Sequence, residues 1–180
     1  MAKPSLVIVL AEDGRHQNFV RRYLTKRGYR RHEIRFVELP SGRGCGEQWV
    51  RARYATAVRD CRRRQAVTAL IVAIDSDTVE VARRSQQLEA ALLEADLHAR
   101  GREEKIVHLI PKRTIETWIL CLHGEQVNEE SDYRLRRDVD QKIGAAAITF
   151  FEWSRPTAMI PLQCVLSLVA AVPEVRRLDS

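Results

Sequence analysis

The chain has 180 residues, of which 45% are hydrophobic and 30% charged, and its formal net charge is +6. This composition is typical of one globular domain large enough to bury a core, and it excludes a disordered or fibrous protein. The charge is uneven, because residues 1–64 hold 16 Lys and Arg against 6 Asp and Glu, whereas residues 65–180 hold 14 against 18. A basic half beside acidic sites favours a protein that binds phosphate backbones with the help of cations. Solvated Arg-rich helix faces would account for part of the imbalance.

The first segment predicts a strand, an acidic turn and a basic helix. Residues 5–11 are almost entirely apolar, which predicts a buried strand, and Glu12 and Asp13 follow it directly. Residues 15–27 place their apolar side chains on one face and their basic side chains largely on the others. This pattern predicts an amphipathic helix, which Gly28 ends.

The next segment predicts a strand, a loop and a second basic helix. Residues 33–39 alternate loosely between polar and apolar side chains, which predicts a strand nearer the edge of the sheet. Residues 40–46 are rich in glycine but lack the spacing of a known phosphate-binding motif. They form either a loop that approaches a phosphate through backbone N–H groups or an ordinary connection. Residues 47–64 predict a helix whose outward arginines give the most basic surface of the chain.

The central feature of the sequence is the apolar run 69–74, which leads directly into Asp75 and Asp77. A continuous apolar run with charge at one end predicts a central parallel strand that is buried on both faces. Its carboxylates then lie at the carboxyl edge of the sheet, where α/β proteins bind ligands. Two carboxylates this close repel each other, so a bound cation would stabilise them. Alternatively, Asp77 simply caps the helix predicted over residues 79–99.

A fourth strand is predicted over residues 105–110, and the apolar spacing of residues 115–122 predicts a helix after it. Glu116 lies in the first turn of that helix. It is either a favourable charge at the helix N-terminus or a further carboxylate at the same edge of the sheet. Lys112 and Arg113 precede the helix, where they either neutralise a scissile phosphate or are solvated.

Residues 125–180 predict a helical extension packed on the α/β domain of residues 1–124. The predicted elements are a helix over 128–143 that Gly144 ends, an apolar segment 145–153 that packs back onto the sheet, and a helix over 162–178 that Pro173 interrupts or restarts.

The cysteines and the N-terminus bear on the cellular compartment. Four cysteines lie far apart without a C-x-x-C motif, which predicts scattered thiols rather than a zinc site or a disulfide framework. The N-terminus lacks the pattern of a signal peptide, and no apolar run in the sequence is long enough to span a bilayer. We therefore expect a cytoplasmic protein that does not interact with membranes.

Strands that alternate with helices predict a Rossmann-like, mostly parallel sheet of about four strands with helices on both faces. Carboxylates follow three of the four predicted strands, namely Glu12, the pair Asp75 and Asp77, and Glu116. Because parallel strands end at a common edge, this clustering predicts a binding site for a divalent cation. Oxygen ligands suit Mg²⁺ or Mn²⁺, either of which supports the cleavage of phosphodiester bonds.

The order of these carboxylates resembles the Toprim domain of topoisomerases, primases and nucleases of the overcoming-lysogenization-defect type. That domain has a Glu after the first strand and an Asp-x-Asp after a later one. The chain is most similar to small stand-alone Toprim-like proteins of bacterial anti-phage systems, through the segment Ile115-Glu116-Thr117-Trp118. The resemblance covers roughly residues 5–122. Toprim domains usually have Gly directly after the Glu, whereas Asp13 intervenes here, so that Glu12 and Asp13 are both candidate ligands.

The resemblance implies a Mg²⁺-dependent nuclease in an anti-phage defence system. Glu12 would be a metal ligand or general acid–base, Asp75 and Asp77 would bind the cation, and Glu116 would be a further site carboxylate. Lys112 is a candidate catalytic cation. The candidate contacts to nucleic acid, with DNA favoured over RNA, are Arg15, Arg22, Arg43, Arg51, Arg62 and Arg113. A partner ATPase or a homodimer would be consistent with the small size of the chain.

Three other interpretations remain open. The segment Asp75-Ser76-Asp77-Thr78 also resembles the phosphatase motif of haloacid dehalogenase-like enzymes, although that family places the motif on its first strand. Asp-x-Asp also serves glycosyltransferases, for which 180 residues is short. The third interpretation is a non-catalytic module that binds nucleic acid or a partner ATPase.

Overall fold

The computed structural model describes residues 3–40, 46–64 and 66–179. In these residues four strands form a parallel sheet: β1 (Leu6–Ala11), β2 (Ile34–Phe36), β3 (Thr68–Ala73) and β4 (Ile106–Leu109). The α-helices are α1 (Gly14–Lys26), α2 (Glu47–Arg62), α3 (Val81–Glu94), α4 (Ile115–Leu122), α5 (Val139–Ser154) and α6 (Leu166–Arg176). The strand order is β2-β1-β3-β4. The predicted Rossmann-like α/β class is therefore confirmed.

The two inner strands carry the core of the domain. β1 and β3 pair over their full lengths, from Leu6 opposite Thr68 to Ala11 opposite Ala73. Beyond its first residue each strand is buried, because helices cover both faces of the sheet. The hydrophobic core on one face includes side chains of α1, α4, α5 and α6, and the core on the other face includes side chains of α2 and α3. The in-register pairing also brings the residues that follow the two strands to the same place.

The two edge strands are short. β2 has three residues and lies at one edge, as the sequence predicted. At the other edge α6 packs against β4, where the Glu174 carboxylate accepts a hydrogen bond from the His108 backbone N–H at 3.0 Å. A carboxylate on an otherwise unpaired N–H group prevents another strand from pairing with this edge.

Several predictions for helices were wrong in position. α3 is shorter than the predicted 79–99, and residues 128–138 form turns and irregular structure, so that the helix predicted over 128–143 begins only at Val139. Gly144 lies inside α5 rather than ending it. A Cβ at this position would lie 3.3 Å from Nη1 of the exposed Arg22 side chain in α1. α5 packs mainly against α1 and α4 rather than directly on the strands.

Pro173 was predicted to interrupt the C-terminal helix, but α6 continues through it. A proline removes the hydrogen bond to the carbonyl four residues earlier, here that of Val169. Pro173 and Val169 are both exposed, so water can satisfy that carbonyl and the helix is not broken. Across the described residues, none of the helices combines the length and apolar character needed to cross a bilayer.

Candidate metal centre

A cleft of about 540 Å³ opens where β1 and β3 end. Its walls come from the residues after both strands, from the first turns of α1, α2 and α4, and from the irregular segment 128–138. The charged residues that line it are Glu12, Asp13, Arg15, Glu47, Asp75, Asp77, Glu116 and Arg134. The structure thus brings all of the predicted carboxylates to one cleft, as expected for the carboxyl edge of a parallel sheet.

Three residues in this cleft form a group that could hold a metal ion. Glu12, His16 and Asp75 each offer one ligand atom, and these atoms lie within 4.8 Å of one another. The arrangement follows from the pairing of β1 with β3, which continues where the Glu12 N–H donates to the Ala73 carbonyl at 3.0 Å. Glu12 Oε2 then accepts a hydrogen bond from the Asp75 N–H at 2.8 Å. Two carboxylates and an imidazole are a ligand set that divalent cations use in proteins.

His16 is the member of this group that the sequence analysis missed. Its side chain is fully buried between two carboxylates. Nδ1 lies 2.9 Å from Asp13 Oδ1, and Nε2 lies 3.0 Å from Asp75 Oδ1. Asp13 also caps α1, since the same carboxylate oxygen accepts from the His16 N–H at 2.9 Å. The spacing Asp13-x-x-His16 at the start of a predicted helix is the signal that would have found it.

These contacts separate the roles of Glu12 and Asp13. Asp13 is the N-cap of α1 and the partner of His16 Nδ1, whereas the Glu12 carboxylate reaches across to the backbone of Asp75. Of the two residues that follow β1, Glu12 therefore belongs to the candidate metal group, and Asp13 orients the imidazole of His16. Such outer hydrogen bonds fix the tautomer and direction of a ligating histidine.

The buried charges shift the protonation of these groups. Burial, and then repulsion by Asp75, raise the pKa of Glu12 to about 7. Burial disfavours the charged form of His16, but attraction by Asp75 and Asp13 outweighs it and holds the pKa of the imidazole well above its usual value. Burial likewise opposes ionisation of Asp13, but its hydrogen bond to His16 lowers the pKa of this carboxyl well below its usual range. Without a cation, His16 therefore retains its proton near neutral pH, and Glu12 is about half protonated at pH 7.

Asp77 lines the cleft without joining the three-residue group. Its backbone adopts a left-handed conformation with φ of 54°, and its carboxylate forms an ion pair with Arg134. The same guanidinium lies 3.8 Å from Asp75 Oδ2. The alternative role of Asp77 as a helix cap was wrong, because the N-cap of α3 is Glu80.

Glu116 lies at the same edge and is held by Arg15. Its buried carboxylate is 2.5 Å from Arg15 Nη1, and Arg15 Nε also binds Asp140 Oδ1 at 2.9 Å. Arg15 Nη1 further donates to the backbone carbonyl of Arg134 at 3.3 Å. Arg15 thus links α4, α5 and the segment that carries Arg134 above the cleft.

A buried arginine that the sequence analysis also missed supports the turn after β3. Arg84 in α3 is 3% exposed, and its Nε donates to the Asp75 carbonyl at 3.1 Å. Its Nη2 donates to the Ser76 carbonyl at 3.4 Å, and its Nη1 binds Glu47 Oε2 at 2.6 Å. These bonds fix the backbone that presents the Asp75 side chain to the cleft.

The other predicted site residues that the structure describes do not line the cleft. Lys112 pairs with Glu80, an exposed residue at the start of α3. Arg22 donates a hydrogen bond to Asn18, and Arg51 and Arg62 form ion pairs with Glu47 and Glu104 respectively. Arg113 is half-buried after β4, and Arg43 lies outside the described residues. Of the predicted nucleic-acid contacts, the structure brings Arg15 to the candidate metal centre.

No protein-family model, no curated protein and no solved structure matches this chain. The candidate centre is therefore defined by the geometry of its own residues. The resemblance to the Toprim domain stays a prediction, and so do the anti-phage role, the partner ATPase and the homodimer.

Proposed function

We propose that this protein is a divalent-cation-dependent nuclease in which Glu12, His16 and Asp75 hold the cation. The observation that carries the proposal is the convergence of these three ligand atoms within 4.8 Å of one another in an open cleft. When bound, such a cation supplies positive charge to a phosphoryl oxygen and lowers the pKa of water. We propose Mn²⁺ or Mg²⁺, with the imidazole ligand favouring Mn²⁺.

Two arginines beside the cluster favour a phosphate-containing substrate. Arg15 and Arg134 both line the cleft, and both are now held by carboxylates of the site. A guanidinium group matches the geometry of a phosphate through two parallel N–H bonds. The Arg134 side chain is 46% exposed, so it can turn from Asp77 to an incoming phosphate without breaking core packing. Its role in this proposal is to bind the phosphate beside the cation.

The test is cleavage of labelled single- and double-stranded DNA and RNA with Mn²⁺, with Mg²⁺ and with EDTA. We expect metal-dependent cleavage that falls at least about 100-fold in Asp75→Asn, because that change removes a charged ligand. Glu94→Gln is the matched control, since Glu94 is an exposed carboxylate of α3 away from the cleft. Circular dichroism verifies that both variants remain folded.

Three results would contradict the proposal. Equal cleavage by Asp75→Asn and the parent would assign the activity to another site or to a contaminant. Salt-sensitive binding without cleavage would favour the non-catalytic nucleic-acid-binding module. Hydrolysis of a small phosphate ester but of no nucleic acid would favour the phosphatase.

A further inference from the structure

Two cysteines that are distant in the sequence meet at the end of α4. The Sγ atoms of Cys121, in α4, and Cys164, just before α6, lie 3.9 Å apart. Both line a cavity of about 550 Å³ whose walls include Leu122 and Trp153. The wide spacing of the cysteines in the sequence predicted scattered thiols, so tertiary structure alone reveals this pair.

The two thiols differ in their chemistry. The hydrogen bond between them lowers the pKa of Cys121 to about 6 and raises that of Cys164. A backbone hydrogen bond of Val165, the N-cap of α6, adds to the lowering at Cys121. Cys121 is half-buried and Cys164 is buried. A partly accessible cysteine that is a thiolate near neutral pH is the reactive kind.

Cys61 provides a comparison within the same chain. It is a buried residue of α2, with its Sγ 3.6 Å from the Thr68 carbonyl oxygen. Burial raises the pKa of its thiol to about 11. A buried, protonated thiol of this kind reacts slowly with electrophiles and oxidants.

We propose that Cys121 and Cys164 form a thiol pair that hydrogen peroxide oxidises reversibly to a disulfide. The Cys121 thiolate attacks one peroxide oxygen, the O–O bond breaks, and the departing hydroxide takes a proton from solvent to become water. This step leaves a sulfenic acid on Cys121. The Cys164 sulfur then attacks the Cys121 sulfur, the S–O bond breaks, and the departing oxygen leaves as water with the Cys164 proton. In total, two thiols and one peroxide give one disulfide and two waters; the sulfurs are oxidised and the peroxide oxygens are reduced.

The geometry favours the second step. The sulfurs must close from 3.9 Å to about 2.05 Å, and the half-buried Cys121 side chain has the open cavity beside it in which to turn. The disulfide would close the loop between residues 121 and 164, which contains α5. Closing a loop of this length reduces the freedom of the unfolded chain, so we expect the Tm to rise by roughly 5 °C or more on oxidation.

In the experiment, the reduced protein is treated with one to ten equivalents of hydrogen peroxide, and the remaining thiols are then alkylated. Peptide mass mapping should show a cross-link between Cys121 and Cys164 that dithiothreitol reverses, with Cys61 still alkylated. In Cys164→Ser the sulfenic acid should persist on Cys121 and be trapped by dimedone, whereas Cys61→Ser should behave as the parent does.

Two results would overturn the proposal. One is alkylation of Cys121 no faster than that of Cys61 in the untreated protein. The other is that peroxide leaves both thiols of the pair free, or oxidises Cys121 to the sulfinic acid without a cross-link. Both are read from the parent protein, so they do not depend on the folding of a variant or on the proposed nuclease activity.

Discussion

The substitution Glu12→Gln should make the stability of the metal-free protein less dependent on pH. In the folded parent, burial and Asp75 raise the pKa of Glu12 from 4.5 to about 7. A carboxyl whose pKa is raised by folding binds its proton more tightly in the folded state, so stability is lost as pH rises between these two values. The full difference corresponds to about 3 kcal/mol, of which about 2 kcal/mol falls between pH 5 and 7.5.

The assay is urea unfolding in EDTA at pH 5 and pH 7.5, for the parent and for Glu12→Gln. The glutamine keeps the size of the side chain and does not titrate, so we expect the parent to lose about 2 kcal/mol more than the variant over this interval. The raised pKa of His16 also makes stability fall as pH rises, but His16 is present in both proteins, so its contribution largely cancels in the comparison. Parallel pH profiles for the two proteins would refute the argument that Glu12 is a buried, electrostatically crowded carboxyl.

Adding Mn²⁺ supplies a second comparison for the same pair of proteins. A cation binds the deprotonated carboxylate, so excess Mn²⁺ should stabilise the parent more at pH 7.5 than at pH 5. In Glu12→Gln the Mn²⁺ effect should be much smaller at both pH values. Equal stabilisation of parent and variant would mean that Mn²⁺ binds elsewhere.

Two further substitutions test the residues that support the site. His16→Ala should destabilise the protein by roughly 2–4 kcal/mol in urea unfolding, because it leaves the buried Asp75 carboxylate without its histidine partner. The same substitution should lower Mn²⁺ affinity at least about 10-fold in calorimetry. Arg84→Met should cost roughly 3 kcal/mol in the same unfolding assay, since it removes the donors to the backbone after β3; an unchanged midpoint would show that these bonds are dispensable.

The sheet could be predicted from the sequence because buried parallel strands leave a strong local signal. The apolar runs that became β1 and β3 are continuous, and the carboxylates that follow them mark where each strand ends. Parallel pairing then brings Glu12 beside Asp75 without further information. β2 was also placed correctly at an edge, although it is shorter than its alternating pattern indicated.

The residues that complete the site could not be predicted as easily, because their roles depend on contacts across the fold. Arg84 and Arg134 belong to segments whose local patterns resemble ordinary solvated surface, and tertiary packing turns them towards Asp75 and Asp77. His16 was one polar residue among several in an amphipathic helix. Its role appears only when Asp13 is recognised as the cap of α1.

Errors at the C-terminal helices have a similar cause. Glycine and proline often end helices, but α5 continues through Gly144, and α6 continues through Pro173, where the freed carbonyl is exposed to water. Conversely, the apolar spacing around residues 128–138 predicted a helix where charged side chains form ion pairs in irregular structure, such as that of Arg136 with Asp138. In each of these cases the surroundings of the residues overrode the local preference.

The ligands of the metal centre can be identified in a crystal of the protein grown with Mn²⁺, with anomalous data collected at the manganese edge. We expect one strong anomalous peak in direct contact with Glu12, His16 and Asp75, with Arg134 close by in the same cleft. A manganese ion bound only at other carboxylates, or His16 still bridging Asp13 and Asp75 with no ion beside Glu12 at saturating Mn²⁺, would contradict it.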